Sequence, residues 1–473
     1  MDSNHFGPFS PRSYEHSFVT IFARKTPQKV LDWEQIRGNP CCMNANANPS
    51  DEEMLDRFQR AAFNYFMEQV NPENGLIADR STADAPASIA AVGFALSCYP
   101  VGVERGWMTR DIAADRILVT LRFFWNSDQS EDPLATGYKG FYYHFLDMKT
   151  GERVWRSELS MIDTALLLAG VLVANTYFNR DTPIEREICQ LAEAIYNRVD
   201  WQWAQDGKAT LRQGWKPESG FLHYGWEGYS EAIILYVLGL ASPSHPLTND
   251  CYASWTATYQ WENIYGYEFL YAGPLFIHHF SHAWIDFSGI RDPFMREKNC
   301  DYFENSRRAT YVQQEYARRN PHDYEGYGEE CWGFSAADGP GFRKMKMDDE
   351  ECQFFGYAAR GVPFGPDDGT ICPSATLSCL PFAPHATLAA MRHLCARYPQ
   401  LVENYVLPSG FNPTFQGIDG QAWVAEGSLG LDQGIVVLMI ENYRSGLIWK
   451  LMRQCPTIAN GLRRASFGGG WLK

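Results

Sequence analysis

The chain has 473 residues with 56 acidic and 41 basic side chains, a formal charge of −15 that argues against binding nucleic acid or anionic membranes through a cationic face. Hydrophobic residues make up 45% and charged ones 21%, which excludes a disordered or collagen-like chain. Aromatic residues reach 15%, many beside glycine, proline and acids, the composition of a cleft lined by flat rings.

Residues 1–50 are polar and rich in asparagine and proline, and read as an N-terminal arm. They hold no apolar core of the ~7–15 residues that a secretory signal needs, which predicts a cytoplasmic protein, or a periplasmic or secreted one if a leader has been removed. From a cap at Ser50 or Asp51, helical periodicity recurs over Glu52–Val70, Ser88–Cys98, Thr109–Trp125, Ser160–Phe178, Pro183–Val199, Tyr229–Leu240, Pro274–Trp284, Tyr302–Arg319, Ala375–Leu380, Pro384–Tyr398 and Gln433–Gln454. The longest apolar runs, Ala165–Ala174 and Ala232–Ala241, are too short to span a bilayer.

Between these segments lie long glycine-rich aromatic loops, Thr136–His144, Gly214–Gly228, Tyr324–Phe342 and Gly410–Gly430, while strand-like alternation is sparse. Two of the helices, Ser160–Phe178 and Tyr229–Leu240, are apolar on nearly every side and so belong inside. Helix count and pattern predict an all-α toroid, an inner ring wrapped by an outer one, as a single catalytic domain over 51–473. The long aromatic loops would gather at one end as the ligand funnel.

Zinc-protease, P-loop, elbow-serine and dinucleotide-binding motifs are all missing, and the 12 cysteines contain no C-x-x-C pair. Carboxylates remain as the candidate chemistry, because acetal hydrolysis needs one acid to protonate the leaving oxygen and one base to activate water. Glu231 opens an apolar helix beside Trp226, Tyr229 and Tyr236, whose rings would desolvate it and raise its pKa; the competing role is a capping glutamate. Asp432 starts another buried helix, with an N-cap as its competing role. Glu158 and Asp163, five residues apart, do not share one helix face neatly. Asp79, Arg80 and Asp338 are candidate polar anchors, and Trp226, Trp332 and Trp423 candidate platforms for sugar rings, each with a core or solvated role as the alternative. His278, His279 and His282 form a cluster without a nameable third ligand, so no metal is expected.

Taken in order, several strings resemble the glycoamylase-like family, the group with bacterial endo-β-1,2-glucanases and the transglycosylase module of cyclic β-1,2-glucan synthases. Among them are Asp79-Arg-Ser81, Ser88-Ile-Ala-Ala-Val-Gly-Phe-Ala-Leu96, Ile162-Asp-Thr-Ala-Leu-Leu-Leu-Ala-Gly170, Glu231-Ala-Ile-Ile-Leu-Tyr236, Ala337-Asp-Gly-Pro340, Asp368-Gly-Thr370 and Leu431-Asp-Gln-Gly434. The resemblance runs from about Asp51 to Lys450. It implies an (α/α)6 barrel, cleavage of β-1,2-glucan to short oligosaccharides by carboxylate catalysis, and no metal or organic cofactor. On the matching positions it implies Glu231 as general acid and Asp432 as base, reaching water directly or through a substrate hydroxyl. Glu158 and Asp163 would bind sugar hydroxyls. The chain departs from the family pattern at His385, where an acidic residue is usual, and at Ser409-Gly-Phe-Asn-Pro413, which bears on endo against exo cleavage.

The leading expectation is therefore an inverting, endo-acting glycoside hydrolase with a glucan substrate. A retaining transglycosylase, an exo-acting sophorose-releasing enzyme, an epimerase or lyase using the histidines, and a non-catalytic glucan-binding protein are the alternatives. The sequence leaves the oligomeric state open.

Overall fold

Ser50 opens the first helix through a capping box: its hydroxyl accepts from the Glu53 amide while the Glu53 carboxylate accepts from the Ser50 amide at 2.8 Å. The computed structural model describes residues 49–347, 350–417 and 420–473. The expected arm over 1–50, apart from its last two residues, lies outside them. From Ser50 to Lys473 the chain forms one compact unit.

Helices α1 (Asp51–Glu68), α2 (Ile89–Glu104), α3 (Arg110–Asn126), α4 (Met161–Tyr177), α5 (Pro183–Asn197), α6 (Ile233–Ala241), α7 (Phe280–Trp284), α8 (Tyr302–Arg319), α9 (Pro373–Ser378), α10 (Pro384–Arg397), α11 (Gly430–Arg444), α12 (Leu447–Gln454) and α13 (Pro456–Arg464) dominate the chain. They fall into two layers. Helices α2, α4, α6, α9 and α11 are buried over most of their surface; α2, α4 and α6 are apolar almost all round, while α9 and α11 also bury polar side chains such as Ser374, Thr376, Gln433, Glu441 and Asn442. Helices α1, α3, α5 and α10 are half buried, and α1 lies on α11, α5 on α3 and α4, α10 on α9, and α13 on α6. Within the buried layer α2 packs on α4 and α11, α4 on α6, and α9 on α11. Among the described residues no helix is long and apolar enough to cross a membrane.

Most expected helices are present within a residue or two, and the departures have local causes. Helix α2 runs on past Cys98 through Pro100, because complete burial of the segment outweighs the lost amide donor. The Gln433–Gln454 segment breaks into α11 and α12 at Gly446, whose φ of +68° is left-handed. Pro274–Trp284 splits into a 3-10 turn over Leu275–His278 and the short α7. Helix α6 starts at Ile233, so Glu231 stands in the turn before it and not inside its first turn.

The loops add small antiparallel sheets that the sparse alternation did not predict. The largest is five-stranded, in the order Gly137–Tyr138, Phe141–Tyr143, Leu159–Ser160, Gly214–Lys216 and Gly220–Phe221.

Backbone packs directly on backbone where α2 crosses α4. A Cβ on Gly170 would lie 2.1 Å from the Gly93 carbonyl oxygen, and one on Gly93 would lie 2.3 Å from that of Leu166, so the two backbones touch directly. Because neither backbone can yield, Gly170→Ala should destabilise the protein by about 1–3 kcal/mol or more. Thermal unfolding checks this against Gly328→Ala, where a Cβ meets nothing within 4 Å and the midpoint should hold. Equal midpoints for both variants would contradict backbone contact at the crossing.

Candidate active site

The N-terminal ends of the buried helices and the turns before them carry most of the predicted acids. Asp163 is the third residue of α4 and Asp432 the third of α11, while Glu231 lies two residues before the start of α6. The segment around Asp79 reaches α11 by backbone pairing. Arg80 bridges to Leu429, the Gly430 amide donates to the Asp79 carbonyl at 2.7 Å, and the Ser81 amide donates to the Ser428 carbonyl at 3.0 Å. Beneath it the Tyr65 hydroxyl donates to the Ala78 carbonyl at 2.7 Å.

Arg80 then holds two carboxylates, Asp79 at 3.5 Å and Asp338 at 3.4 Å. Asp338 is fixed from its own side, where its amide donates to the Ser409 hydroxyl at 3.1 Å. The preceding carbonyl, of Ala337, accepts from the buried Arg360 guanidinium at 2.8 Å. Arg360 is in turn locked by a two-pronged pair with the buried Asp368, at 2.6 and 2.8 Å. Ala337 also pairs with Ala358, which brings Tyr357 to the same place.

On the other side, the five-stranded sheet sets His144 against Glu158. The His144 amide donates to the Glu158 carbonyl at 3.0 Å, Nδ1 lies 2.9 Å from the Glu158 carboxylate, and Nε2 lies 3.6 Å from Asp163. Ser160, the N-cap of α4, donates its hydroxyl to Asp163 at 2.5 Å and accepts from the Asp163 amide.

The charges explain the titration. Burial pulls the His144 imidazole down, but the charges of Asp163, Glu158 and Asp79 outweigh it and push its pKa to about 9. Glu158 is raised by burial, yet the His144 hydrogen bond and charge, with Lys216, leave it below its ordinary value. Asp79 is raised, mainly by burial, with Asp163 adding and Arg80 and His144 opposing. Glu231 is only partly exposed; desolvation and the Asp163 charge push it up to about 7, against one backbone hydrogen bond. Asp432 is pushed to about 8 by burial, with Asp338 and Asp79 adding and the Ser374 hydroxyl and Arg80 opposing, and its Oδ2 has no hydrogen-bond partner.

Asp79, Arg80, Glu158, Asp163, Glu231, Asp338 and Asp432 thus form one electrostatically connected cluster. The aromatic candidates divide differently. Trp332 is fully buried in a core cluster with Phe334 and Tyr316, so its expected role as a sugar platform is corrected to packing. The faces of Tyr229 are taken by Tyr302, stacked at 5.9 Å, and by Tyr259 and His278 edge-on. Trp226 packs half-buried on the core, its indole N–H buried without a partner and its carbonyl accepting from the Tyr236 hydroxyl at 3.0 Å. Trp423 is half-buried on the strand Ala422–Val424, opposite Asn412. The histidine cluster is core: burial drives His278 to about 4 and His282 to about 3, and the three rings bond to the Ala272 carbonyl, Cys379 and the Ser306 hydroxyl.

Sequence reasoning passed over three members of the site. His144 ends the loop Thr136–His144, whose length was the signal, yet nothing in the sequence pairs it with Glu158. Ser374 and Tyr357 carry no motif at all. Tyr357 is 58% exposed, and its hydroxyl feels burial and then the charges of Asp432, Asp79 and Asp338. His144, Glu158 and Asp163 also bring three ligand-type atoms within 4.8 Å of one another. In this structure the three pair with one another, His144 Nδ1 with Glu158 at 2.9 Å and Nε2 with Asp163 at 3.6 Å.

Comparison with known proteins puts this site in a family. The glycoamylase family model matches residues 223–456, which include Glu231, Asp338 and Asp432. A solved glucoamylase-like protein from Bacteroides uniformis is 31% identical, with a TM-score of 0.80 over 90% of this chain and 100% of its own. The endo-β-1,2-glucanase of Chitinophaga pinensis, solved with sophorotriose and glucose, is 26% identical with a TM-score of 0.76 over 90% of this chain and 100% of that one. The exo β-1,2-glucooligosaccharide sophorohydrolase of Parabacteroides distasonis is 26% identical over 450 residues, 88% of this chain. This chain spans 58% of the length of that curated relative. Identity and superposition over nine-tenths of its length establish that the chain belongs to the glycoamylase-like family.

Proposed function

We propose that this protein is a glycoside hydrolase that cleaves β-1,2-glucan to short β-1,2-glucooligosaccharides, with inversion at the anomeric carbon. The two helical layers would close as an (α/α)6 toroid around the acid cluster. One observation carries the reading: two carboxyl groups from distant parts of the chain, Glu231 and Asp432, are held in one acidic cluster with pKa values near neutrality. Similarity to an endo-β-1,2-glucanase over 90% of the chain supports the substrate class.

Glu231 gives its proton to the glycosidic oxygen as the C1–O bond breaks. Asp432 takes a proton from the water whose oxygen bonds C1 from the opposite face, directly or through a substrate hydroxyl. Asp79, Arg80, Glu158, Asp163, Asp338 and Tyr357 offer hydrogen bonds to sugar hydroxyls, and Trp226 and Trp423 remain the candidate stacking rings. Between about pH 7 and 8 the pair Glu231/Asp432 holds about one proton in total, the state that acid–base catalysis needs. Arg80, the Ser374 hydroxyl and the N-terminus of α11 favour the anion at Asp432. No cation opposes the rise at Glu231, and its match to the family's general-acid position supports it as the acid.

The higher pKa of Asp432 favours a second reading, in which the two exchange roles. Leaving-group chemistry separates them. Glu231→Gln should lower turnover of β-1,2-glucan by about 10²–10⁴-fold, yet keep much of the activity on an aryl β-sophoroside whose phenolate leaves without a proton. Asp432→Asn should lose both activities. The reverse pattern would exchange the roles, and full turnover of glucan by Glu231→Gln would remove the acid assignment altogether.

The same groups predict a dependence of stability on pH. Both carboxyls have folded-state pKa values above their unfolded ones, so the folded state binds the extra protons and stability falls as pH rises from about 4 to 8. Glu231→Gln should therefore be more stable than the unsubstituted protein at pH 8, by about 2–3 kcal/mol, and nearly level with it at pH 4, as denaturant unfolding at the two pH values would measure. An equal offset at both pH values would show that Glu231 is not a desolvated acid.

A further inference from the structure

The turn from Val154 to Ser157 leads directly into Glu158 and is built against local preference. The Ser157 amide donates to the Val154 carbonyl at 3.0 Å, and the two central residues, Trp155 and Arg156, have φ of +56° and +48°. Two successive left-handed residues inside such a hydrogen bond make a mirror-image turn, for which asparagine and glycine are the favoured residues. A tryptophan and an arginine occupy the strained positions here.

The turn is nailed down from beneath. The Arg153 side chain is buried, donates to the Ser157 carbonyl at 2.6 Å and to the Pro133 carbonyl at 3.3 Å, and grips Glu218 at 2.8 and 3.1 Å. The Val154 amide donates to the Phe145 carbonyl at 3.1 Å. All this rigidity serves to display Trp155, which is 70% exposed. Its ring meets Phe145 at 5.2 Å, and Phe145 stacks on His144 at 3.9 Å with the planes 13° apart. His144 is the imidazole held between Glu158 and Asp163. A continuous run of rings therefore leads from the acid cluster out to solvent, ending in a large flat apolar face.

We propose that Trp155, backed by Phe145, is an outer subsite that stacks on a glucose ring of the same β-1,2-glucan strand whose bond is cleaved at the acid cluster. The inference rests on the function proposed above and adds a residue to it. Strained backbone is kept where the displayed group has a task, and a pyranose ring presents the apolar C–H face that an exposed indole can cover. Only chains long enough to reach from the acid cluster to Trp155 gain from the contact, so the subsite makes affinity depend on chain length.

Trp155→Asn tests this, because asparagine suits the left-handed position while removing the ring. Calorimetric binding of linear β-1,2-glucooligosaccharides, from the disaccharide upward, is measured in a Glu231→Gln background so that the ligand is not consumed. The expected result is affinity for the longer oligosaccharides about tenfold weaker or worse, an unchanged affinity for the disaccharide, and a melting temperature held or raised. Unchanged affinity at every length, or an equal loss at every length together with a lower melting temperature, would overturn the subsite. If the Glu231→Gln parent binds none of these oligosaccharides, the substrate reading itself is wrong and the subsite falls with it.

Discussion

A shortage of positive charge governs this site. Six carboxyl groups, Asp79, Glu158, Asp163, Glu231, Asp338 and Asp432, share a largely desolvated region with two principal cations, Arg80 and His144. Each cation is placed between two acids, so neither neutralises the whole group. Burial raises Glu231 and Asp432, and neighbouring carboxylates add to it, so these two retain protons near neutral pH. Glu158, hydrogen-bonded to His144, falls below its ordinary value, while Asp79, beside Arg80 but buried, is still raised.

Such crowding costs folding energy, and the scaffold supplies rigid support for it. Contact between the α2 and α4 backbones at Gly93 and Gly170 fixes the helix whose first turn presents Asp163. A Cβ on Gly434 would lie 2.4 Å from the Phe94 side chain, so α11 is seated just as closely on α2, and with it Asp432. The buried Arg360–Asp368 pair contributes more to the shape of the loop carrying Asp338 than to stability, since a buried ion pair only about offsets its own desolvation. Functional groups that repel one another stay together because the elements beneath them cannot move apart.

Much of this was legible in the sequence, and the part that was not has physical reasons. Helix positions followed from periodicity, since apolar residues on every side of Met161–Tyr177 and Ile233–Ala241 leave those segments nowhere but the interior. The acids were visible because each stands where a polar loop meets an apolar helix. Pairing across long sequence distances was not visible: nothing local says that Arg80 will bridge Leu429, or that His144 will lie beside Glu158. The aromatic candidates were the weakest part. A tryptophan in a loop reads the same whether it packs inward, as Trp332 does, or outward, as Trp155 does. The left-handed turn that displays Trp155 lacks the usual asparagine and glycine, so the rule that finds such turns passes over it.

The central claim is that burial, reinforced by neighbouring carboxylates and not by the catalytic step, sets the proton affinity of Glu231 and Asp432 in the free protein. Carboxyl-carbon NMR titration of the protein without ligand, assigned by comparison with Glu231→Gln and Asp432→Asn, measures it directly. The account predicts two carboxyl signals with midpoints near pH 7 and 8, each lost in one variant. It also predicts that the Glu231 midpoint falls in Asp163→Asn and the Asp432 midpoint falls in Asp338→Asn, each losing a neighbouring charge. Every carboxyl titrating in the ordinary acidic range, or midpoints indifferent to those neighbours, would contradict it.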